Sequence, residues 1–282
     1  AESPAAEQPV PPPVDLAPDP ARERAIRNTV AGALVCTVSL LLVLLASDVL
    51  TARAVHALPA DDPDPLVVKV TGHQWWWEVQ YDDRVPANIV TTANELHLPA
   101  GRVAKLEIRS TDVIHSFWVP NLHGKKDMIP GHDTSVWVRA DRPGEYAGAC
   151  AEFCGAQHAQ MRFTVVVEPP ERFAAWLAAR RQSAPEPQTD GQRAGRTVFL
   201  TGGRCAMCHT VQGTTAGGRV GPDLTHLASR PTLAAGAVPN VPGHLAGWVV
   251  DPQKVKPGVR MPQNPMPPTD LRALLEYLES LK

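Results

Sequence analysis

The 282-residue sequence carries no surplus of either charge, with 27 Lys and Arg against 29 Asp and Glu. A nucleic-acid binder normally presents a basic excess, so nucleic acid is not expected as a partner. Cysteine is scarce. Of the five present, four stand as two close pairs, Cys150/Cys154 and Cys205/Cys208. Paired cysteines in an exported chain are often a disulfide framework, but here each pair is followed by a ligand-type residue at metal spacing. Aromatic residues make up only 5% of the chain, which makes the WWW run at 75–77 conspicuous. Long apolar runs are missing with one exception, and there is no internal repeat.

The exception is NTVAGALVCTVSLLLVLLAS, bounded by Arg27 and Asp48. Its roughly 20 uncharged residues suffice to cross a bilayer as one helix, and a buried core helix of that length would show charge on its outer face. Cys36 lies within it as a small apolar filler. Arg22, Arg24 and Arg27 precede the run, whereas Asp48 and Arg53 follow it. The positive-inside rule therefore leaves the N-terminal side in the cytoplasm and sends the rest outside, as an uncleaved signal-anchor would. The segment before it, AESPAAEQPVPPPVDLAPDP, is too rich in proline for helix or sheet and reads as a tail.

After the helix, LVVKV, WWWEVQY, RVAKLEIRS, TSVWVRA and MRFTVVVEP are short runs of β-branched and aromatic residues separated by Pro/Gly turns. Ala104, Leu106 and Ile108 alternate with charged neighbours, as a half-buried strand requires. Such spacing predicts a sandwich or Greek-key barrel. Past Pro170 the character changes. ERFAAWLAARR reads as a helix, QSAPEPQTDGQ as a linker, and the remainder as helical and glycine-rich. The closing TDLRALLEYLESLK sets Leu271, Leu274, Leu275, Leu278 and Leu281 on one stripe, with Thr269 as the expected N-cap.

Residues 150–161, CAEFCGAQHAQM, hold two thiols, an imidazole and a thioether. That soft mixture suits copper rather than calcium or magnesium. A mononuclear blue-copper site uses one cysteine, so two cysteines suggest two coppers bridged by shared thiolates. A second imidazole is then needed, and His115 in STDVIHSFWVP is the best candidate. Met161 would serve one ion and a backbone carbonyl, most simply that of Glu152, the other. Bridged ions delocalise charge, so little moves when an electron arrives. A Cys2His2 zinc site remains the competing reading.

The stretches GHQWWWEVQY, DVIHSFWVP and KKDMIPGHDTSVWVRADRPGEYAGACAEFCGAQHAQM, with the helix ahead of them, resemble subunit II of the haem-copper cytochrome c oxidases over roughly residues 30 to 168. The resemblance implies a cupredoxin-like Greek-key β-barrel carrying the dinuclear CuA centre. Its ligands would be His115, Cys150, Cys154, His158, Met161 and the main-chain oxygen of Glu152. It further implies that the Glu152 side chain reaches a magnesium ion at the contact with subunit I, and that Trp75 is the surface tryptophan where electrons enter. Trp76 points opposite to its neighbours, and His73, His97, His123 and His132 are assigned no chemistry. The family usually begins with two membrane helices, whereas this sequence shows one.

CAMCH at 205–209 is the attachment signature of a c-type haem: the thiols of Cys205 and Cys208 add to the vinyl groups and His209 lies under the iron. Met207, between the thiols, cannot reach the opposite face. The sixth ligand should be a downstream methionine, Met261 or Met266. Residues 191–282 resemble class I cytochromes c, and KPGVRMP matches the stretch that carries their ligand, which selects Met261. In the same family the proline of GPDLTHLASR, Pro222, packs on the proximal imidazole, and His226 is only part of that loop.

The expected architecture is multidomain: a proline-rich tail (1–24), one transmembrane α-helix (25–52), a CuA cupredoxin domain (62–170), a helix and linker (171–190) and an all-α cytochrome c domain (191–282). The two resemblances together imply the electron-entry subunit of a membrane-bound cytochrome c oxidase. It would be single-pass in a bacterial cytoplasmic membrane, with both metal domains outside. Dioxygen reduction and proton translocation would belong to subunit I. Its partners would be subunit I, the other oxidase subunits and an electron donor, either a cytochrome c or a quinol-oxidising complex. Tethering the haem near Trp75 raises its effective concentration there. A CuA subunit of a nitric oxide reductase is the alternative, since the terminal chemistry is not written in this chain.

Overall fold

The computed structural model describes residues 17, 19–57, 64–202 and 204–282. Most of the expected tail therefore lies outside the described residues. Its last part does not, because helix α1 already begins at Pro20 and runs to Ala57. Proline is tolerated there because its missing N–H has no partner in a first turn, and the Asp19 carboxylate accepts from the Ala21 N–H at 2.9 Å. The helix is thus longer at both ends than residues 25–52. Its 38 residues extend about 57 Å at 1.5 Å per residue, more than the ~30 Å hydrocarbon core of a bilayer. The apolar part has a mean hydropathy of 2.5, and Leu41, Leu42, Val43 and Leu44 are each more than half exposed. A helix apolar on every face finds its covering in lipid.

Residues 64–168 form two five-stranded sheets. The first orders β3 (Val90–Ala93), β2 (Trp76–Tyr81), β1 (Leu66–His73), β5 (Val103–Ser110) and β8 (Thr134–Arg139). The second orders β4 (Glu95–Pro99), β10 (Arg162–Glu168), β9 (Gly144–Cys150), β6 (His115–Val119) and β7 (His123–Met128). The pairs β1/β5 and β4/β10 are parallel and the others antiparallel, so the chain crosses between sheets. Alternation fills the space between them. Val68 and Val70, Trp77 and Val79, Leu106 and Ile108, and Val165 and Val167 are all buried in one core. The five strands expected from β-branched runs are present. Strands β3, β4, β6, β7 and β9 were not expected: β3 is only four residues long, and histidine, glycine or charge interrupts the patterns of the other four.

Trp75 differs from expectation. It lies in the turn between β1 and β2, so only Trp76 and Trp77 belong to the strand. Helix α2 (Pro170–Arg180) is no free spacer either. Phe173 is buried in the sandwich core, and Trp176 stacks on His97 at 3.9 Å. The linker that follows lies on the next domain, where Ala184 donates to the Gln212 carbonyl at 3.0 Å.

The last domain comprises α3 (Asp190–Thr197), α4 (Pro242–Val250), α5 (Pro252–Val255) and α6 (Pro268–Ser280), with turns and a two-stranded ribbon between. The leucine stripe is as expected: Leu274, Leu278 and Leu281 are buried with Tyr277 and Phe199, and Leu271 and Leu275 pack at its edge. Thr269 is not the cap. The helix starts one residue earlier on Pro268, with Pro267 in the cap position, because proline's fixed φ suits the first turn. Helix α3 crosses α6 at Gly195, where a Cβ would stand 1.9 Å from the Ala273 carbonyl oxygen. Gly195→Ala is therefore expected to destabilise this domain by about 1–3 kcal/mol, read as a lower thermal midpoint in the haem Soret band with the sandwich transition unmoved.

Candidate metal centres

The stretch 150–161 is a closed loop. Cys150, the last residue of β9, donates its N–H to the Met161 carbonyl at 3.0 Å, which sets the two side chains together. A 3-10 turn over His158–Gln160 bends the chain back. The Ala151 N–H bonds the Ser116 carbonyl and docks the loop on β6, whose first residue is His115. Residues far apart in the chain thus converge. The Sγ atoms of Cys150 and Cys154 are 3.8 Å apart, too far for a disulfide of about 2.05 Å but within reach of one ion. The Cys150 sulfur lies 3.9 Å from His115 Nδ1 and 3.2 Å from the Glu152 carbonyl oxygen. The Cys154 sulfur lies 3.6 Å from His158 Nδ1 and 3.8 Å from Met161 Sδ. His115 and Met161 are fully buried, and Cys154 is 2% exposed.

The electrostatics favour a bound cation. Hydrogen bonding from Cys154 pulls the Cys150 thiol well below its ordinary range, and the same contact pushes Cys154 up, so the pair holds one proton between them. Burial would lower His115, but the Asp112 carboxylate on Nε2 at 2.9 Å and the Cys150 sulfur raise it. Asp112 itself is held down to about 2. Desolvation opposes this, and His115 together with the N–H groups of Gln74 and Val113 outweighs it. Asp112 therefore fixes the ring with Nδ1 facing the sulfurs, the usual work of an outer-shell carboxylate. It stands three residues before His115, a signal the sequence reading passed over. Six donors, with a thioether and a carbonyl at the ends, exceed the four of structural zinc and match the soft set of paired copper.

A second site is a cavity of about 660 Å³. It is lined by Cys205, Cys208, His209 and Met261, and by the apolar side chains of Phe199, Leu245 and Leu274 among others. The His209 Nδ1 bonds the Pro222 carbonyl oxygen at 2.8 Å, which leaves Nε2 for an axial bond. Burial lowers this imidazole, which favours the neutral ring whose lone pair can be donated. Gly221 lies flat on the ring, where a Cβ would come within 2.5 Å of it. Met266 packs instead among the core side chains, and Met207 is 71% exposed. The thiols, the imidazole and the apolar walls fit a covalently held c-type haem.

The same cavity is walled by His73, Gln74, Trp75 and Trp76 of the sandwich. Trp75 is 9% exposed because the cytochrome domain covers it, and its Nε1–H donates to the Cys154 carbonyl at 2.9 Å. Gln74 donates to the same oxygen at 2.8 Å. Trp76 stacks on His73 with ring centroids 4.3 Å apart. Burial pushes His73 down to about 4. His132 is exposed, and His123 bonds the neighbouring Gly124 carbonyl. His226 does more than line its loop, since it faces the Arg180, Gln182 and Lys282 carbonyls and joins α2 to the chain end.

A family profile described as "Cytochrome C oxidase subunit II, periplasmic domain" matches residues 86–168, and one described as "Cytochrome c" matches residues 192–282. The cytochrome c oxidase subunit 2 of Alkalihalophilus pseudofirmus is 38% identical over 250 residues, spanning 86% of this chain and 70% of the relative. That of Bacillus sp. strain PS3 is 31% identical over 264 residues, spanning 88% and 72%. Among solved structures, the periplasmic domain of subunit II of the Bradyrhizobium japonicum cytochrome oxidase is 30% identical, with a TM-score of 0.40 over 42% of this chain and 96% of that one.

Proposed function

The chain belongs to the cytochrome c oxidase subunit II family, and from that premise we propose that it takes electrons in at its cytochrome domain and passes them from its copper domain to subunit I. Membership in a haem-copper oxidase, together with a cytochrome c domain, implies that the chain binds copper and c-type haem. The apolar helix α1 is consistent with a single membrane pass, and the copper domain belongs to the outer, periplasmic side.

Cys150, Cys154, His115, His158, Met161 and the Glu152 carbonyl are the residues that would hold the copper pair, with His115 and the Glu152 carbonyl nearer Cys150 and His158 and Met161 nearer Cys154. Cys205 and Cys208 would hold the haem covalently, and His209 and Met261 would be the residues offered to its iron. When bound, these groups supply one-electron carriers. The chain's own residues supply rigidity and dryness: Asp112 and the Pro222 carbonyl fix two imidazoles, and the buried His115, Cys154 and Met161 have little room to rearrange. Trp75 fills the space between the cavity and Cys154 and keeps water out of it. The Glu152 carboxylate, 43% exposed beside Lys125 at 3.8 Å, is the group offered to a magnesium ion at the subunit I contact. Subunit I would reduce dioxygen to water and translocate protons, and the membrane would be a bacterial cytoplasmic one.

The observation that carries this reading is the convergence of six donors from 115 and 150–161 beside a cavity built for a covalent haem. Metal analysis of the purified chain tests it. The expected result is about two coppers and one covalent haem per polypeptide, whereas zinc or a lone copper at the thiols overturns it.

A further inference from the structure

The segment leading to Met261 leans on the copper domain as well as on its own, where the Gln253 side chain donates to the Val259 and Met261 carbonyls at 2.9 and 2.8 Å and accepts from the Gly258 N–H at 2.8 Å. Lys256 is 1% exposed, and its Nζ donates to three main-chain oxygens: Trp75 at 2.8 Å, Gln160 at 2.8 Å and Ala234 at 2.9 Å. The first two lie on the loops flanking the thiols, the third on the cytochrome domain. The next residue, Pro257, accepts from the Gln157 side chain at 2.8 Å. Gly258 adopts φ +87°, a left-handed turn that seats the backbone under the Trp75 ring. Arg260 reaches Asp112, the carboxylate that holds His115, at 3.5 Å.

A buried ammonium is expensive to desolvate unless each of its donors is satisfied. All three of its N–H groups have acceptors here, and none is a carboxylate. Burial pushes the amine down to about 7, opposed by the nearby Cys154 sulfur. A lysine serving only its own core would find its partners there, whereas two of these three belong to another domain. The acceptor side is equally unusual. Ala234 and Ala235 have φ of 54° and 59°, conformations that non-glycine residues hold only when their surroundings impose them. In that turn the Ala235 carbonyl also accepts from the Arg162 N–H at 3.1 Å.

We propose that Lys256 is a positioning residue for electron delivery: its ammonium pins the strap 256–261 to the Trp75 and Gln160 loops and so holds the haem cavity against the copper domain. The proposal rests on the functional reading above for what is delivered, while the latch itself is independent of which metal the thiols hold.

The test uses the full chain in its oxidase complex, with Lys256→Met, Lys256→Gln, and Gln157→Leu as a separate cut in the same strap. Loss of hydrogen bonds to a charged group should raise amide exchange in 256–261 and 157–161 by about tenfold or more, with β1, β5 and α6 unchanged. Flash-triggered transfer from the cytochrome to the copper domain should slow by about tenfold or more, since small displacements of reacting partners have large effects on rate. Lys256→Gln, which keeps donors but no charge, should fall between Lys256→Met and the unaltered chain. Unchanged exchange in Lys256→Met overturns the latch. Raised exchange at an unchanged transfer rate overturns its role in delivery. Should Lys256→Met fail to load its metals, Gln157→Leu decides, with the same pattern in smaller degree expected and no change overturning the proposal. A chain holding zinc would sink the functional reading, but its exchange pattern would still report on the latch.

Discussion

Cys154→Ser is expected to leave the chain with one copper or none, its paired-ion spin signal lost and its fold intact. The Cys154 sulfur is the hub of the cluster, within 3.6–3.8 Å of Cys150, His158 and Met161. A serine hydroxyl occupies nearly the same volume in this buried position but is a hard, neutral donor that cannot bridge two copper ions. Turnover of the complex should fall by more than the roughly 10–100-fold that follows loss of an outer-shell partner. Copper analysis and spin resonance on the purified chain check it, with the haem Soret band unaltered as the control. Two coppers and an unchanged spectrum in the variant would rule out the bridging role of this thiol.

Met261→Leu is expected to lower the haem reduction potential by on the order of 0.1 V or more, because a thioether in the sixth position is what holds it high. Covalent attachment through Cys205 and Cys208 should persist, and so should the copper spectrum. Met266→Leu is the matched control. Both methionines lie in one proline-rich stretch, but only Met261 lines the cavity, while Met266 packs against the hydrophobic core. Leucine is close to methionine in volume, so the control should cost less than about 1.5 kcal/mol of stability and leave the potential where it was. Redox titration of the two variants side by side separates the roles; equal potentials would remove Met261 from the iron.

The Trp75 wall changes how electron entry is understood. The family resemblance implies a surface tryptophan where electrons enter, with the tethered haem kept near it. Here the ring is covered by the cytochrome domain and bonded to the Cys154 carbonyl, so the partner it faces is the tethered haem cavity.

Much of the site was legible because its information is local. CAEFCGAQHAQM and CAMCH set their candidate ligands by spacing along the backbone, and a run of twenty apolar residues is consistent with a membrane pass without reference to any partner. Strands with clean alternation were legible for the same reason. Strands β4, β6 and β9 were not, since His97, His115 and Gly148 break the pattern and are tolerated only by what lies across from them. Gly148, for example, lies directly over the Phe163 ring, where a Cβ would come within 2.3 Å.

By itself, then, the sequence determined the order of the domains, the two kinds of cofactor they imply and the outer side for the copper domain, and it supplied the donor set proposed above. Each follows from residue chemistry at short range. Only the tertiary structure decided that Asp112 orients His115, that Trp75 is interior, that α2 belongs to the sandwich, and that a lysine 181 positions along the chain from Trp75 bonds its carbonyl. Those contacts join residues distant in the chain, and a buried charge finds its acceptors only once both domains have folded around it.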